Sequence, residues 1–260
     1  MKKTIFQVQP QYADRDKWMA LSEREGLFFE SLEPVFQMEE LDFSEPCMEW
    51  YRDCGRTRAL HGAFIDVNPA SGDASFRELS RRRCHESCRI AKFMGAEYVV
   101  FHASAFPFLR GDYLFRWADC CAAFYGELAA EYGLQICVEN SQDLDPAPLR
   151  ELMRRTGGRG VSVCLDIGHA AYSRAPIGQW FDALGDWIDY LHLSDNMGQF
   201  DDHLSIGAGR IDWFEADALF RQMNRAVPVT LETGGIGGAE ASLAYLRRHG
   251  LFGTGDSSHD

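Results

Sequence analysis

Residues 161–169 read VSVCLDIGH: a short apolar run stops at Asp166, turns through Ile167-Gly168 and delivers His169 three positions later. A run this short and this apolar, with Val at alternate places, reads as a strand buried on both faces, the kind that parallel sheets use. The tight turn lets Asp166 and His169 reach one point above the sheet. Five further runs are built alike: ALHGAF (59–64) carries His61, YVVFHAS (98–104) His102, QICVEN (135–140) Glu139, YLHLSD (190–195) His192 and VTLET (229–233) Glu232. Asp201 and His203 follow on the loop after His192. Imidazoles and carboxylates are ligands of divalent transition metals. One His at a strand end is most often structural; nine such residues at six strand ends point to a metalloenzyme.

Working outward, eight strands are expected at Ile5–Val8, Leu27–Ser31, Ala59–Phe64, Tyr98–His102, Gln135–Glu139, Val161–Asp166, Tyr190–Leu193 and Val227–Glu232. Helical patterns lie between them, near Arg15–Glu25, Pro46–Asp53, Ala74–Phe93, Tyr113–Tyr132, Pro146–Arg155, Ile177–Leu184, Trp213–Arg221 and Ala239–Arg248. Eight strand–helix units in 260 residues is the arithmetic of a single α/β domain, a (β/α)8 barrel with its active site at the C-terminal rim of the strands. An open doubly wound sheet would feed one crevice from two or three strands; six polar strand ends favour closure. The barrel is expected over 1–252 and a frayed tail over 253–260, where His259 plays no part.

The formal charge of −13 argues against a broad basic surface for nucleic acid, although a local groove would survive it. The apolar stretch Thr4–Val8 is too short for a signal-peptide core and no later run approaches membrane length, so a cytoplasmic protein without a membrane partner is expected. The eight cysteines then read as reduced thiols, with Cys84 and Cys88 on one buried helix face. Trp180 and Trp213 read as core.

These residues together resemble the xylose-isomerase-like TIM-barrel superfamily, which groups sugar and sugar-phosphate isomerases and epimerases with the endonuclease IV (AP endonuclease family 2) branch. The resemblance implies that Glu139, Asp166, His192 and Glu232 hold a divalent metal. It implies further ligands at His61, His102, His169, Asp201 and His203, the set with which the endonucleases bind three zinc ions. The sequence also departs from that branch: Asp201-Asp202-His203 has an acid where the endonucleases have Arg, DIGH replaces their Asp-Thr-Cys-His, and the loop between His192 and His203 is shorter. The segment HLSDN…DxHLxIGxGxIDW resembles instead the members grouped as sugar phosphate isomerases/epimerases.

Moving a proton on the carbon beside a carbonyl needs a base, an acid and a holder for enediolate charge; a divalent ion can be the holder. The expectation is therefore a metal-dependent sugar or sugar-phosphate isomerase or epimerase. Glu139 and Glu232 act as the catalytic pair, and His169 and Arg210 meet the substrate. An endonuclease IV-like zinc phosphodiester hydrolase is the alternative, as is a dehydratase or lyase of the same superfamily. Four ligands suit manganese, cobalt or magnesium; the full nine-ligand set suits zinc. The resemblance also implies a homo-oligomer.

Overall fold

In a computed structural model, which describes residues 4–36 and 42–254, eight parallel strands close into a barrel in sequence order, with the last paired to the first. The strands are β1 (Ile5–Val8), β2 (Phe28–Ser31), β3 (Thr57–His61), β4 (Tyr98–His102), β5 (Gln135–Glu139), β6 (Val161–Asp166), β7 (Ile188–Leu193) and β8 (Pro228–Leu231). The helices are α1 (Arg15–Glu25), α2 (Pro46–Asp53), α3 (Ala74–Met94), α4 (Gly111–Tyr132), α5 (Ala147–Thr156), α6 (Ile167–Tyr172), α7 (Ile177–Leu184), α8 (Trp213–Gln222) and α9 (Gly235–His249). The (β/α)8 expectation holds. Of the tail expected over 253–260, residues 255–260, with His259, lie outside the described residues.

Several boundaries shift by one to four residues from the sequence reading, and three differences at the C-terminal rim have local reasons. β3 ends at His61 because the chain leaves the ladder after Gly62, whose N–H still donates to Val100 O (2.8 Å), and Phe64 turns back over His61 and His102. β8 ends one residue before Glu232, whose N–H nonetheless donates to Leu193 O (3.0 Å). The segment read as a turn after β6 is the short helix α6, capped by Asp166, whose side chain accepts from His169 N (2.5 Å).

Apolar side chains fill two volumes. The larger core lies between the strands and the helix layer and includes Trp18, Trp180, Trp213, Phe101 and Leu191, so both tryptophans read as core are core. The smaller lies inside the barrel, where Ala59, Val100, Cys137, Cys164 and Tyr190 make a buried floor beneath the C-terminal rim. Cys84 and Cys88 are buried on α3, and all eight cysteines are free thiols. No described helix is long and apolar enough to cross a membrane.

Candidate metal centre

Parallel register sets the predicted ligands side by side at the rim. His102 stands opposite Glu139 on β4 and β5, and Asp166 opposite His192 on β6 and β7. Glu139, Asp166, His192 and Glu232 bring one ligand atom each to within 4.8 Å of one another, and all four are buried. A second group shares Glu139: its Oε2 lies 3.3 Å from His61 Nε2 and 3.6 Å from His102 Nε2. Its other oxygen, Oε1, faces His169 Nδ1 (3.2 Å) and His192 Nδ1 (3.5 Å). On the far side, Asp201 Oδ2 lies 3.1 Å from His169 Nε2 and 2.9 Å from His203 Nε2. All nine predicted ligands thus gather at one end of the barrel.

The hydrogen bonds decide which ring nitrogen each histidine offers. His61 Nδ1–H donates to Gly62 O (3.0 Å), His169 Nδ1–H to Asn140 O (2.7 Å) and His203 Nδ1–H to Glu232 O (2.9 Å). Each therefore turns Nε2 toward a carboxylate. His192 is reversed: Nε2–H donates to Glu30 Oε2 (3.0 Å), and Nδ1 faces Glu232 Oε1 (3.2 Å). In a neutral imidazole the free nitrogen carries only a lone pair, so a second proton or a cation must sit between it and the carboxylate. The demand for positive charge shows in the acidities. Burial lowers His61, His169 and His192, yet the carboxylates around the first two, and Cys164 followed by Glu232, Glu30 and Glu139 around His192, raise all three above the ordinary histidine range. His203 is raised to about 9, chiefly by its hydrogen bond with Asp201. Desolvation of half-buried His102, which has no such bond and stands among three other imidazoles, takes it down to about 3. Burial, with Glu139 and Glu232 adding to it, lifts Asp166 to about 7.

The donor set fits a divalent ion on a further ground. Glu139 Oε1 and Oε2, Asp166 Oδ2 and His192 Nδ1 are buried polar atoms without a hydrogen-bond partner, and all belong to the four-ligand group. Buried polar atoms are normally paired, because an unpaired one costs about 1–3 kcal/mol. Unpaired acceptor atoms gathered in this way on three of the four residues are what a divalent ion would satisfy. His203 adds a non-glycine residue held at φ 47°, a left-handed conformation that concentrates at functional sites.

Several supporting residues escaped the sequence reading. Glu30 of β2, fully buried, accepts from His192, Tyr190 (2.7 Å) and Thr230 (2.8 Å). Burial pushes its carboxyl up, but His192 and these donors hold it at about 2. Gln9, one residue past β1, donates to Glu30 Oε1 (3.0 Å) and to Glu232 Oε1. Asn140 ties β5 to β6, donating to Asp166 O (3.0 Å) and accepting from Asp166 N (2.8 Å). Asp195 gathers the loop after β7 by accepting from Asn196 N, Gly207 N, Ile211 N and Trp213 Nε1. Arg210, on that loop, is exposed; its backbone N–H donates to Asn196 O (2.9 Å).

The sequence model described as xylose isomerase-like TIM barrel matches residues 30–249. A protein of Methanocaldococcus jannaschii, MJ1311, is 27% identical over 201 residues, 73% of this chain and 69% of its own. Among solved structures, a Thermus thermophilus protein, TTHB071, soaked with zinc chloride, is similar with a TM-score of 0.77 at 23% identity, covering 97% of this chain and 99% of that one. A D-psicose 3-epimerase crystallised in the presence of D-fructose reaches a TM-score of 0.70 at 15% identity, covering 96% and 100%. At these identities the structural likenesses show a shared barrel.

Proposed function

Because the chain belongs to the xylose isomerase-like TIM barrel family and closes four metal-ligand side chains around one point, we propose that it is a metal-dependent isomerase or epimerase of a sugar or sugar phosphate. The observation that carries the reading is the pair Glu139 and Glu232. They come from non-adjacent strand ends, β5 and β8, yet their carboxylates reach the same small volume. One carboxylate would take a proton from the carbon beside the substrate carbonyl and the other would return one to the opposite face. Their surroundings differ as such a pair requires: burial raises Glu232, whereas at Glu139 the imidazoles of His192, His102 and His169 outweigh burial and pull the group down. A bound divalent ion would supply Lewis-acid stabilisation of the oxygens that gain charge, worth several kcal/mol of barrier. Asp166 and His192 complete its ligand set, while His169 and exposed Arg210 meet substrate oxygens at the rim. The likeness to a D-psicose 3-epimerase fits this reading. In it the partner is a small sugar, and the enzyme works as a cytoplasmic homo-oligomer.

The test is solvent deuterium incorporation into keto-sugars. Wild-type protein should exchange one carbon-bound hydrogen of its substrate. Glu139→Gln and Glu232→Gln should each abolish the exchange while a divalent ion still binds. Exchange retained in both variants overturns the reading.

A second reading, zinc-dependent phosphodiester hydrolysis of the endonuclease IV kind, has its own observation. Glu139 divides its oxygens between two ligand groups, and Asp201 lies between the imidazoles of His169 and His203, carboxylate positions that a multi-ion site of this kind would use. Clustered ions would supply a hydroxide nucleophile and stabilise the leaving oxygen. Nicking of a duplex with one abasic site, lost in His203→Ala, would establish this reading; an intact duplex at high enzyme concentration removes it.

A further inference from the structure

Glu30 lies on β2 behind the ligand shell and belongs to none of the ligand groups, yet its carboxylate is fully engaged. Oε2 accepts from Tyr190 Oη–H (2.7 Å), Thr230 Oγ1–H (2.8 Å) and His192 Nε2–H (3.0 Å); Oε1 accepts from Gln9 Nε2–H (3.0 Å). The Tyr190 hydroxyl in turn accepts from Gln7 Nε2 (2.7 Å), so its own hydrogen is free to point at Glu30. A buried carboxylate facing four donors is an acceptor only. The ring nitrogen of His192 that meets it must therefore carry the proton, which leaves the Nδ1 lone pair directed at Glu139 and Glu232. The same carboxylate reaches a second ligand. The Gln9 amide has two N–H groups, and it donates to both Glu30 and Glu232, so Glu232 is oriented by an amide that Glu30 anchors.

We propose that Glu30 is the positioning residue of the metal centre: it fixes His192 as the Nδ1 ligand and, through Gln9, sets the direction of Glu232. Carboxylates that hold a ligating imidazole by its other nitrogen raise its basicity and lock its ring, and their loss costs about 10- to 100-fold in metal affinity. The proposal rests on the metal-centre reading and not on the choice of reaction. A failure to find any exchanging sugar would sink the epimerase reading and leave this one intact.

The experiment uses full-length protein titrated with zinc alone against a chromophoric chelator, with nitrogen NMR of the zinc-loaded histidines. His192 is assigned by the resonance missing in His192→Asn. Wild type should show a slowly exchanging proton on His192 Nε2 and zinc on Nδ1. Glu30→Gln should weaken zinc by about 10- to 100-fold and shift or lose that N–H signal. Glu30→Asp should recover part of both. A proton on Nδ1 in zinc-loaded wild type overturns the proposal even if Glu30→Gln does not fold. So does a folded Glu30→Gln with wild-type zinc affinity and an unchanged N–H. Wild type that takes up no zinc overturns the metal-centre reading and this proposal together.

Discussion

Asp143, in the loop between β5 and α5, is the buried acid outside the ligand set whose charge should be visible in stability. It is 6% exposed; Oδ2 accepts from Ser141 N (3.2 Å), and Oδ1 is buried without a partner. Burial lifts the carboxyl from 3.8 to about 7; Asp145 adds to the rise, and the Ser141 N–H and His169 oppose it. A folded-state value above the unfolded one means that the stability this group contributes is fully present below pH 3.8 and is lost as pH rises to about 7. A rise from 3.8 to about 7 is worth about 4 kcal/mol, of which about a third is lost by pH 5. In Asp143→Asn the side chain cannot ionise but can still accept from Ser141 N. Its unpaired NH2 costs about 1–3 kcal/mol at every pH. The wild-type minus variant stability, from urea unfolding of metal-stripped protein, should therefore fall by about 2–3 kcal/mol between pH 5 and pH 8. A difference that stays flat across that range refutes the reasoning.

Two other substitutions probe how the rim is built. Asp195→Ala strips the acceptor from four buried or half-buried N–H donors and should cost at least about 3 kcal/mol in urea unfolding; a loss below about 1 kcal/mol would show that the β7–α8 loop is held some other way. A Cβ at Gly168 would lie 3.1 Å from Asp166 Oδ1 and 3.2 Å from Ser194 O, and would press harder still on Ser194 Oγ. Gly168→Ala should therefore displace Asp166 and weaken divalent-metal binding by about tenfold or more in a folded protein, and unchanged affinity counts against this.

Much of this architecture is legible in the chain because a buried parallel strand is a continuous apolar run, and a polar residue that ends one is conspicuous. QICVE and VSVCLD declare both strand and ligand. The eight-fold alternation then gives the barrel, and the barrel brings residues as distant as His61 and Glu232 to one mouth. Glu30 was hidden by the same logic. Its strand, FFES, holds a single acid that reads as a solvent-facing position, and its partners Tyr190, His192 and Thr230 lie 160 to 200 residues away. An acid inside an otherwise apolar strand was the available signal. Helix α6, IGHAAY, is too short to show a helical period. Phe64 extended β3 on paper because it is apolar; in the fold it covers His61 and His102, with ring centres 4.9 Å from each. Asn140 and Asp195 act on backbone groups of other elements, which no local pattern announces.

Every proposed role at this rim depends on the four-ligand group being a metal centre. The most direct measurement is elemental analysis of protein purified without added metal and without an affinity tag, alongside Asp166→Asn prepared identically. At least one equivalent of a divalent ion per wild-type chain, depleted in the variant, is the expected result. About one manganese, cobalt or magnesium would send the work to keto-sugar exchange, whereas two to three zinc ions would bring phosphodiester assays first. Wild-type protein with no divalent ion above background, and none retained after incubation with zinc or manganese, would contradict the central claim.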